Sequence, residues 1–555
     1  MSASSKKKLR KENAAALLTE KQKQEQAEAK KLKTISIAFV ALMLVVAITA
    51  ASILVVRGVN NSGVLERNTI AAVINGEELN SVQMNYYLND YIRNIYTQMK
   101  NTYGDSTAMY LSAYGLDVNK PLNEQMRDEK TGETWGDFYL AEALKKAKSD
   151  YALYAKAMAE DFKLSEEEQN SLDSAAQTME LYATIYGYKS ADKYLEALYG
   201  FGSDVESYAR YSKIATIASA YYNKHQESLK YDDATIREYE KDKKNDYTSF
   251  SYAVYALSTS SFLEGGTKNE STGAVTYTDA EKEAARAKAE EIANNLAKSA
   301  DLAELDKAIA ALEINKDNDK AAATRYTDYL YTDISEILQS WLVDEKRVEN
   351  EMTVIPNEVT STDADGKETK TTNGYYVVVF QSRNENLRHL ANVRHLLVKF
   401  KGGKTGTDGN ITYSDAEKAE AKAEAERLLQ VWKDGKATEE TFISMVKAYT
   451  DDTASAENGG LYEDIHPKSN YVETFRNWSI DTDRKPGDTA VLISDYGYHI
   501  MFYSSDDELT YRDYMIQEDL RAKDQEEWSK AIVDAATAKI EKTNRLNLDI
   551  VLAYM

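Results

Sequence analysis

The sequence Thr412-Tyr-Ser-Asp-Ala-Glu-Lys-Ala-Glu-Ala-Lys-Ala-Glu-Ala-Glu426 repeats an earlier one, Thr276-Tyr-Thr-Asp-Ala-Glu-Lys-Glu-Ala-Ala-Arg-Ala-Lys-Ala-Glu290, at an offset of 136 residues. Each copy begins with a Thr-Tyr pair and continues as an Ala-, Glu- and Lys-rich run that predicts a helix. A long match at one offset indicates two homologous units in the chain. The repeat therefore decides how the second half of the chain is divided.

The segments that flank the two copies correspond in order and in spacing. A strand-like apolar segment precedes each copy, a helix with a tryptophan follows it, and a strand entered through Gly-Tyr closes the unit. These segments are Phe250–Leu257, Ile334–Trp341 and Asn373–Phe380 in the first unit, and Val393–Phe400, Tyr471–Trp478 and Tyr496–Phe502 in the second. We predict two α+β units, at 247–386 and 390–507.

The composition excludes several classes of function. The chain has 555 residues, enough for three or more folded units, and a net charge of -23, which argues against nucleic acid as a partner. It has no cysteine, so disulfides, thiolate catalysis and Cys-ligated metals are excluded. Five histidines are too few for a His-rich metal centre. We predict a protein that uses neither a cofactor nor a metal.

An apolar segment near the N-terminus predicts a membrane anchor. Thr34–Val56 runs 23 residues without a charge, and at about 1.5 Å per residue it can cross a bilayer. Residues 1–33 hold ten Lys or Arg against four Glu, so the positive-inside rule places them in the cytoplasm. The remaining chain, with a net charge of −29, is then extracytoplasmic. The alternative is a cleaved signal peptide, whose apolar region is usually shorter.

The chain between the anchor and the first unit is predicted to be mainly helical. Residues 57–69 are a polar, Gly-containing tether, and 70–245 show apolar and Tyr residues recurring at helical spacing. The Tyr stripes indicate either helix packing or a groove that holds apolar peptide. An acidic, helix-forming segment, 509–555, follows the second unit.

Two histidines distinguish the second unit from the first. His395 lies in its first strand and His499 in its last strand, and the first unit has no histidine. The repeat places Tyr376 opposite His499, and either Val254 or Tyr255 opposite His395. Residues on the opening and closing strands can meet across adjacent strands; the alternative is two unrelated histidines, one of them a core residue.

The residues between the histidines form an ordered set of motifs. These are His395-Leu-Leu-Val, Ala448-Tyr-Thr-Asp-Asp-Thr, Asn458-Gly-Gly-Leu, Phe475 and Tyr496-Gly-Tyr-His-Ile. The set resembles the parvulin-type peptidyl-prolyl isomerases across 390–507. The resemblance implies catalytic roles for His395, Asp452 and His499, and a proline-binding pocket lined by Leu461, Tyr471, Phe475 and Tyr496.

The sequence departs from the parvulin pattern at two places. Tyr471 stands where the family usually has Met, and the residues after Gly459-Gly460 differ from the usual Gly-Gly-Asp-Leu-Gly. The first unit lacks both histidines and the Gly-Gly loop, so it resembles a degenerate parvulin domain. Val73–Ser81 and the helices after it are similar to the N-terminal chaperone domain of foldases of the PrsA and SurA kind.

These observations predict an α+β multidomain protein with a single N-terminal transmembrane helix, a helical chaperone-like module and two tandem parvulin-like domains. The predicted parts are a stub at 1–33, a span at 34–56, a tether at 57–69, a chaperone module at 70–245, a degenerate domain at 247–386, an isomerase domain at 390–507 and a C-terminal helix at 509–555 that packs on the chaperone module. The predicted function is a foldase that binds unfolded exported proteins and isomerises their Xaa–Pro bonds. The alternatives are a non-catalytic holdase or scaffold and, further from the motifs, a surface-organising protein.

Overall fold

The computed structural model describes residues 4–7, 42–49, 51–53, 56–318, 320–362, 368–406 and 409–555. Most of the predicted stub at 1–33, and residues 34–41, 50, 54 and 55 of the predicted span, lie outside the described residues. Within the described part of the chain, one helix, Leu42–Asn60, has the length and apolar composition to cross a membrane. It continues past the predicted end of the span at Val56 and includes Arg57.

The chain forms two compact units that differ from the two repeats. One consists of Met1–Leu229 with Asp524–Met555 and is called the helical unit, and the other consists of Lys230–Lys523 and is called the sheet unit. This boundary lies before residue 245, where the sequence placed the end of the helical module. The reason is the short helix that begins at Asp233. Its Ile236 is buried in a cluster with Ile516 and Leu520, which belong to the sheet unit.

The helical unit contains mostly helices, with short strands. Its helices are α1 Val64–Asn68, α2 Ser81–Tyr103, α3 Thr107–Ala113, α4 Trp135–Ala159, α5 Glu166–Asp173, α6 Ala175–Ile185, α7 Ala191–Tyr199 and α8 Val205–Ser228. Its first strands are β1 Ile70–Ile74, β2 Glu77–Asn80, β3 Met126–Asp128 and β4 Glu133–Thr134. Capping boxes at Asn80 and Thr134 start α2 and α4, whose buried faces supply much of the core.

The sheet unit begins with helix α9, Asp233–Glu240. The chain then forms a four-stranded antiparallel sheet, here called the first sheet. The strands and helices of this part of the chain are β5 Ser249–Ser258, β6 Thr267–Lys268, β7 Val275–Thr276, α10 Asp279–Leu296, α11 Leu302–Ala310, β8 Thr324–Leu330, α12 Glu336–Leu342, β9 Met352–Thr362 and β10 Glu368–Asn384. The strand order is β8-β5-β10-β9. Helices α10 and α11 cover one face and α12 covers the other.

A second four-stranded antiparallel sheet follows, here called the second sheet. The strands and helices of this part of the chain are β11 His389–Lys399, β12 Lys404–Thr405, β13 Ile411–Thr412, α13 Asp415–Asp434, α14 Glu439–Tyr449, β14 Leu461–Ile465, α15 Glu473–Ser479, β15 Thr489–Ile493 and β16 Gly497–Thr510. The order β14-β11-β16-β15 places the opening and closing strands side by side, as in the first sheet. Helices α13 and α14 cover one face, and α15 covers the other.

The repeated sequence has the same structural role in both copies. In each, a Thr or Ser caps the long helix and a Glu three residues later completes a capping box: Thr278 with Glu281, and Ser414 with Glu417. The same Glu accepts the N–H of a preceding glycine, Gly266 or Gly403. The match therefore records one helix start used twice.

The C-terminal segment differs from the helix expected over 509–555. Helix α16 spans Tyr511–Ala535, and β17, Ala538–Ile540, then pairs with β1. The helix stops because the Thr537 N–H donates to the side chain of Asn75, and the following residues form hydrogen bonds with β1 instead of continuing the helix. The rest of the chain is irregular and contributes Leu546 and Leu552 to the core of the helical unit.

Candidate functional site

Strand register brings the two predicted histidines together. In the β11–β16 pair, His395 lies opposite Met501 and Leu397 lies opposite His499, so the histidines are diagonal neighbours on one face of the sheet. Their Nδ1 atoms are 3.1 Å apart. The side chains are buried, with 4% and 5% of their surfaces exposed. The same register resolves the open correspondence in the first sheet, where Val254 is the residue opposite Val378 and so occupies the place of His395.

Hydrogen bonds extend from the histidine pair in both directions. His395 Nε2 is 3.0 Å from Asp452 Oδ2, and His499 Nε2 is 2.8 Å from the hydroxyl of Ser494. The Asp452 carboxylate also accepts the hydroxyls of Ser455 and Tyr462. These six side chains are called the polar network below.

With both imidazoles neutral, the connections allow one direction of donation through the network. An ionised Asp452 only accepts, so His395 donates from Nε2 and accepts at Nδ1. His499 must then donate from Nδ1 and accept the Ser494 hydroxyl at Nε2. Ser494 in turn accepts the N–H of Tyr496 at 3.1 Å. Every ring nitrogen therefore has a partner with both histidines neutral.

Burial and hydrogen bonding shift the pKa values of two members of the network, Asp452 and His499. The hydrogen bond from His395 is the main influence that holds the pKa of the Asp452 carboxyl well below its usual range, followed by those from Ser455 and Tyr462. Burial lowers the pKa of His499 to about 4, with a smaller effect from the neighbouring His395. At neutral pH the network thus holds a charged carboxylate and a neutral His499.

Three aromatic rings pack beside the network. Phe475 of α15 has 3% of its surface exposed, and its ring centroid is 5.3 Å from that of His395 in a T-shaped contact. Tyr471 and Tyr462 lie 5.4 and 5.6 Å from Phe475, and 5.3 Å from each other. The rings form an apolar wall on the side of the network that α15 covers.

The structure does not bring all the predicted site residues together. Leu461 lies opposite Arg394 on β14, and alternation along the strand sends its side chain to the face away from the histidines. Tyr462, the next residue, packs with the pocket residues instead. Tyr496 has 63% of its surface exposed, and it meets the network through its backbone N–H. Both side chains were predicted to line the pocket, and both corrections follow from local backbone register.

The sequence prediction also missed three members of the network: Ser455, Tyr462 and Ser494. Ser455 follows Asp452 by three residues, a spacing typical of a side chain that bonds within a turn. Ser494 precedes His499 by five residues across the turn between β15 and β16. Their spacing to the named residues was the available signal, although serines at such spacings are common.

A groove of about 860 Å³ lies beside the network, between the β12–β13 hairpin and the start of α15. Apolar side chains from both sides line it, among them Phe400, Ile411, Tyr413, Val472 and Ile493. Ser494 also lines the groove, which therefore reaches the His499 end of the network.

The corresponding face of the first sheet is apolar. Tyr376 occupies the place of His499, and Val254 the place of His395. On α12, Leu338 precedes Trp341 by three residues, as Phe475 precedes Trp478 on α15. These first-sheet residues pack into one hydrophobic cluster. The polar network is thus confined to the second sheet among the described residues.

Comparison with models of protein families matches residues 376–504 to the PPIC-type PPIASE domain. The chain therefore carries a parvulin-type domain of the peptidyl-prolyl isomerase family, as the sequence resemblance predicted. A comparison with curated protein sequences finds no match.

Several solved structures are similar to the chain. Peptidylprolyl isomerase PrsA from Bacillus anthracis is 17% identical, with a TM-score of 0.18, over 27% of this chain and 59% of that chain. PrsA from Bacillus subtilis is 20% identical, with a TM-score of 0.17, over 27% of this chain and 50% of that chain. A structure of SurA-like chaperones from Campylobacter jejuni is 15% identical, with a TM-score of 0.15, over 40% of this chain and 71% of that chain. The chain thus spans between half and three fifths of the two Bacillus proteins.

Proposed function

We propose that the chain is a membrane-anchored extracytoplasmic foldase whose second sheet catalyses cis–trans isomerisation of Xaa–Pro bonds in unfolded exported proteins. The observation that carries this proposal is the polar network, which is buried, continuously hydrogen-bonded and packed against Phe475 within a PPIC-type domain. In this proposal Asp452 acts on the prolyl peptide bond, and His395 and His499 are the buried pair that supports it.

The reaction makes few chemical demands. Rotation about the peptide bond crosses a barrier of about 18–20 kcal/mol because the planar amide loses its resonance on twisting. No covalent bond is broken, so neither a nucleophile nor a transferred proton is needed. Catalysis requires a site that holds the proline ring and stabilises the twisted amide more than the planar one. The rings of Phe475 and Tyr471 supply the apolar surface for proline.

Asp452 supplies the electrostatic part of the proposed mechanism. In the planar amide, resonance places partial negative charge on the carbonyl oxygen, and twisting removes it. A carboxylate beside that oxygen therefore destabilises the planar form relative to the twisted one. The depressed pKa of Asp452 keeps it ionised, and 17% of its side chain remains accessible. The two histidines hold it in place.

The groove beside the network is the proposed path for the polypeptide on one side of the proline. Its volume of about 860 Å³ accommodates several side chains, and its lining combines apolar residues with polar and charged ones such as Lys418, Glu473 and Asp495. An unfolded client exposes apolar residues, which this lining can cover. Because Ser494 belongs both to the groove and to the network, a chain in the groove would pass next to the catalytic residues.

The other parts of the chain have supporting roles in this proposal. The first sheet, with its apolar face, is a degenerate parvulin-like domain without catalysis. The helical unit is a chaperone-like module that retains clients; in support of this, α6 exposes Leu181 and Ile185, and Tyr186 directly after the helix is also exposed. The apolar helix Leu42–Asn60 anchors the chain in the membrane, with the basic N-terminus in the cytoplasm.

Exchange NMR on an Xaa–Pro peptide tests the catalytic claim. The full chain in detergent should accelerate exchange between the cis and trans forms. Asp452→Asn keeps the shape of the side chain and removes its charge, and it should reduce the acceleration about tenfold, the effect of losing a charge interaction of roughly 1–2 kcal/mol.

Asp451→Asn is the matched control for this test. Asp451 is adjacent in sequence, but it accepts the N–H of Lys399 and takes no part in the network, so the same substitution should leave the rate unchanged. A folded wild-type chain that does not accelerate exchange would refute the catalytic proposal.

The alternative is a non-catalytic holdase, and one observation favours it. Phe475 is almost fully covered, and Tyr471 and Tyr462 pack against it, so the proline site is closed in this structure. A holdase would suppress aggregation of an unfolded client with equal efficiency in wild type and Asp452→Asn, and neither would accelerate exchange. An aggregation assay run beside the NMR experiment distinguishes the two functions.

A further inference from the structure

Three hydroxyl or N–H donors converge on one oxygen of Asp452. His395 Nε2 lies 3.0 Å and the Tyr462 hydroxyl 3.1 Å from Oδ2, and the Ser455 hydroxyl donates to the same atom. The other oxygen, Oδ1, accepts the N–H of Ala454 at 3.3 Å. The two oxygens are therefore unequal: Oδ2 is occupied by side chains, and Oδ1 is the more available.

Tyr462 is placed to do this by its strand. It lies opposite Val393 on β14, so its ring points to the histidine face of the sheet. The ring makes T-shaped contacts with His395 at 5.0 Å and with Phe475 at 5.6 Å, measured between centroids. Two glycines with positive φ, Gly459 and Gly460, turn the chain into β14 and set this register.

The phenol is held as a donor. Burial raises the pKa of Tyr462, and the adjacent Asp452 carboxylate raises it further, so the hydroxyl keeps its proton at neutral pH. The hydroxyl then has one role open to it at the carboxylate, which is to donate. The Tyr462 ring also packs against Tyr471, a residue at which this chain departs from the parvulin pattern.

We propose that Tyr462 is a positioning residue for the isomerase reaction, whose hydroxyl fixes the Asp452 carboxylate so that Oδ1 is the oxygen directed at the prolyl peptide bond. This inference rests on the proposed function. With three donors on Oδ2 the carboxylate cannot rotate without breaking them all, so the charge is held in one orientation before the client arrives. The rate then depends on a hydroxyl that does not itself touch the client.

Tyr462→Phe removes the hydroxyl and keeps the ring with its contacts. In exchange NMR on a Leu-Pro peptide with the full chain in detergent, kcat should fall about tenfold, while KM changes less than about twofold. The acid limb of the pH profile of kcat should move to higher pH, because Asp452 loses a donor that favours its charged form. A purely structural role for the ring would leave that limb where it is.

Tyr503→Phe is the matched control. Tyr503 also donates to a carboxylate, that of Asp506, and lies on the same sheet outside the network. Its variant should keep both the rate and the pH profile of the wild type. If Tyr462→Phe behaves like Tyr503→Phe in rate and in pH profile, the positioning role is refuted.

A second readout does not need activity and separates this inference from the proposed function. Hydrogen exchange in β11 should show a loss of local stability as pH falls from 5 to 1.5, because the unfolded chain takes up a proton in this range that the depressed pKa of the folded Asp452 carboxyl excludes. The loss should be smaller in Tyr462→Phe, whose Asp452 has a less depressed pKa. An inactive wild type that shows this difference refutes the isomerase and retains the hydrogen bond; an equal loss in both chains refutes the positioning of Asp452.

Discussion

The buried, neutral His499 makes the stability of the second sheet depend on pH in a calculable way. An ordinary histidine has a pKa of about 6.5, whereas burial lowers the pKa of His499 to about 4. Between these values the unfolded chain binds a proton that the folded chain does not bind, so the contribution of His499 to stability falls as the pH is lowered from 7 towards 4 and changes no further below that. From pH 8 to pH 5 the loss is about 2 kcal/mol.

His499→Gln isolates this effect because glutamine does not titrate. The variant should be less stable than wild type at pH 8, since it disturbs the bond to His395. Between pH 8 and pH 5, however, it should lose about 2 kcal/mol less stability than wild type loses. Hydrogen exchange of peptides from β11 and β16, corrected for the intrinsic effect of pH on exchange, measures the local unfolding free energy at both values.

His389→Gln is the control, since His389 is an exposed histidine at the start of β11, the strand that pairs with the strand of His499. It should leave the pH-dependent change in β11 and β16 as it is in wild type. If His499→Gln and wild type lose equal stability between pH 8 and pH 5, then His499 does not remain neutral when buried. The direction assigned to the hydrogen bonds of the network would then be wrong.

Three further substitutions test the construction of the site. Gly460→Ala places a Cβ 2.2 Å from the carbonyl oxygen of His395 at a residue with φ of 73°, so the second sheet should melt at a lower temperature in calorimetry; an unchanged melting temperature would contradict the close approach. Phe475→Ala should cost about 3–5 kcal/mol in urea unfolding because the ring is buried, and a cost below 1 kcal/mol would mean that the wall is not packed. Ser494→Ala leaves His499 Nε2 without its donor and should cost about 1–3 kcal/mol in the same assay, whereas a neutral result would place a different donor there.

The parvulin-type domain was predictable because its signals are local or repeated. The helix starts at Ser414 and Thr278 follow from capping boxes that are visible in the sequence. The meeting of His395 and His499 follows from their positions on opening and closing strands, once those strands are neighbours. Each of these inferences needs only periodicity and order, which a single sequence contains.

The pocket wall was not predictable because it depends on the phase of one strand. Leu461 and Tyr462 differ by one residue, and a shift of one residue exchanges the two faces of a strand. The phase is set by Gly459 and Gly460, whose positive φ values are a property of the folded turn. The sequence shows that a turn is present there but does not show how the strand emerges from it.

The C-terminal boundary failed for a different reason. Residues after Ala535 are compatible with a helix by composition, but they pair with β1, which lies more than 450 residues earlier in the chain. A pairing over such a separation leaves no local signal. The helix propensity of the segment was therefore overridden by a tertiary contact.

The difference between the two sheets shows why the polar network is present in the second sheet and, among the described residues, not in the first. A buried histidine pair is tolerated only if each ring nitrogen has a partner, and here that condition requires Asp452 at one end and Ser494 at the other. With one end missing, a polar group would be buried without a hydrogen bond, which is worse than an apolar residue in the same place. The first sheet has Val254 and Tyr376 at the two histidine positions, within a continuous hydrophobic cluster. The network is therefore a unit in which the stability of the sheet and the geometry of the site depend on the same hydrogen bonds.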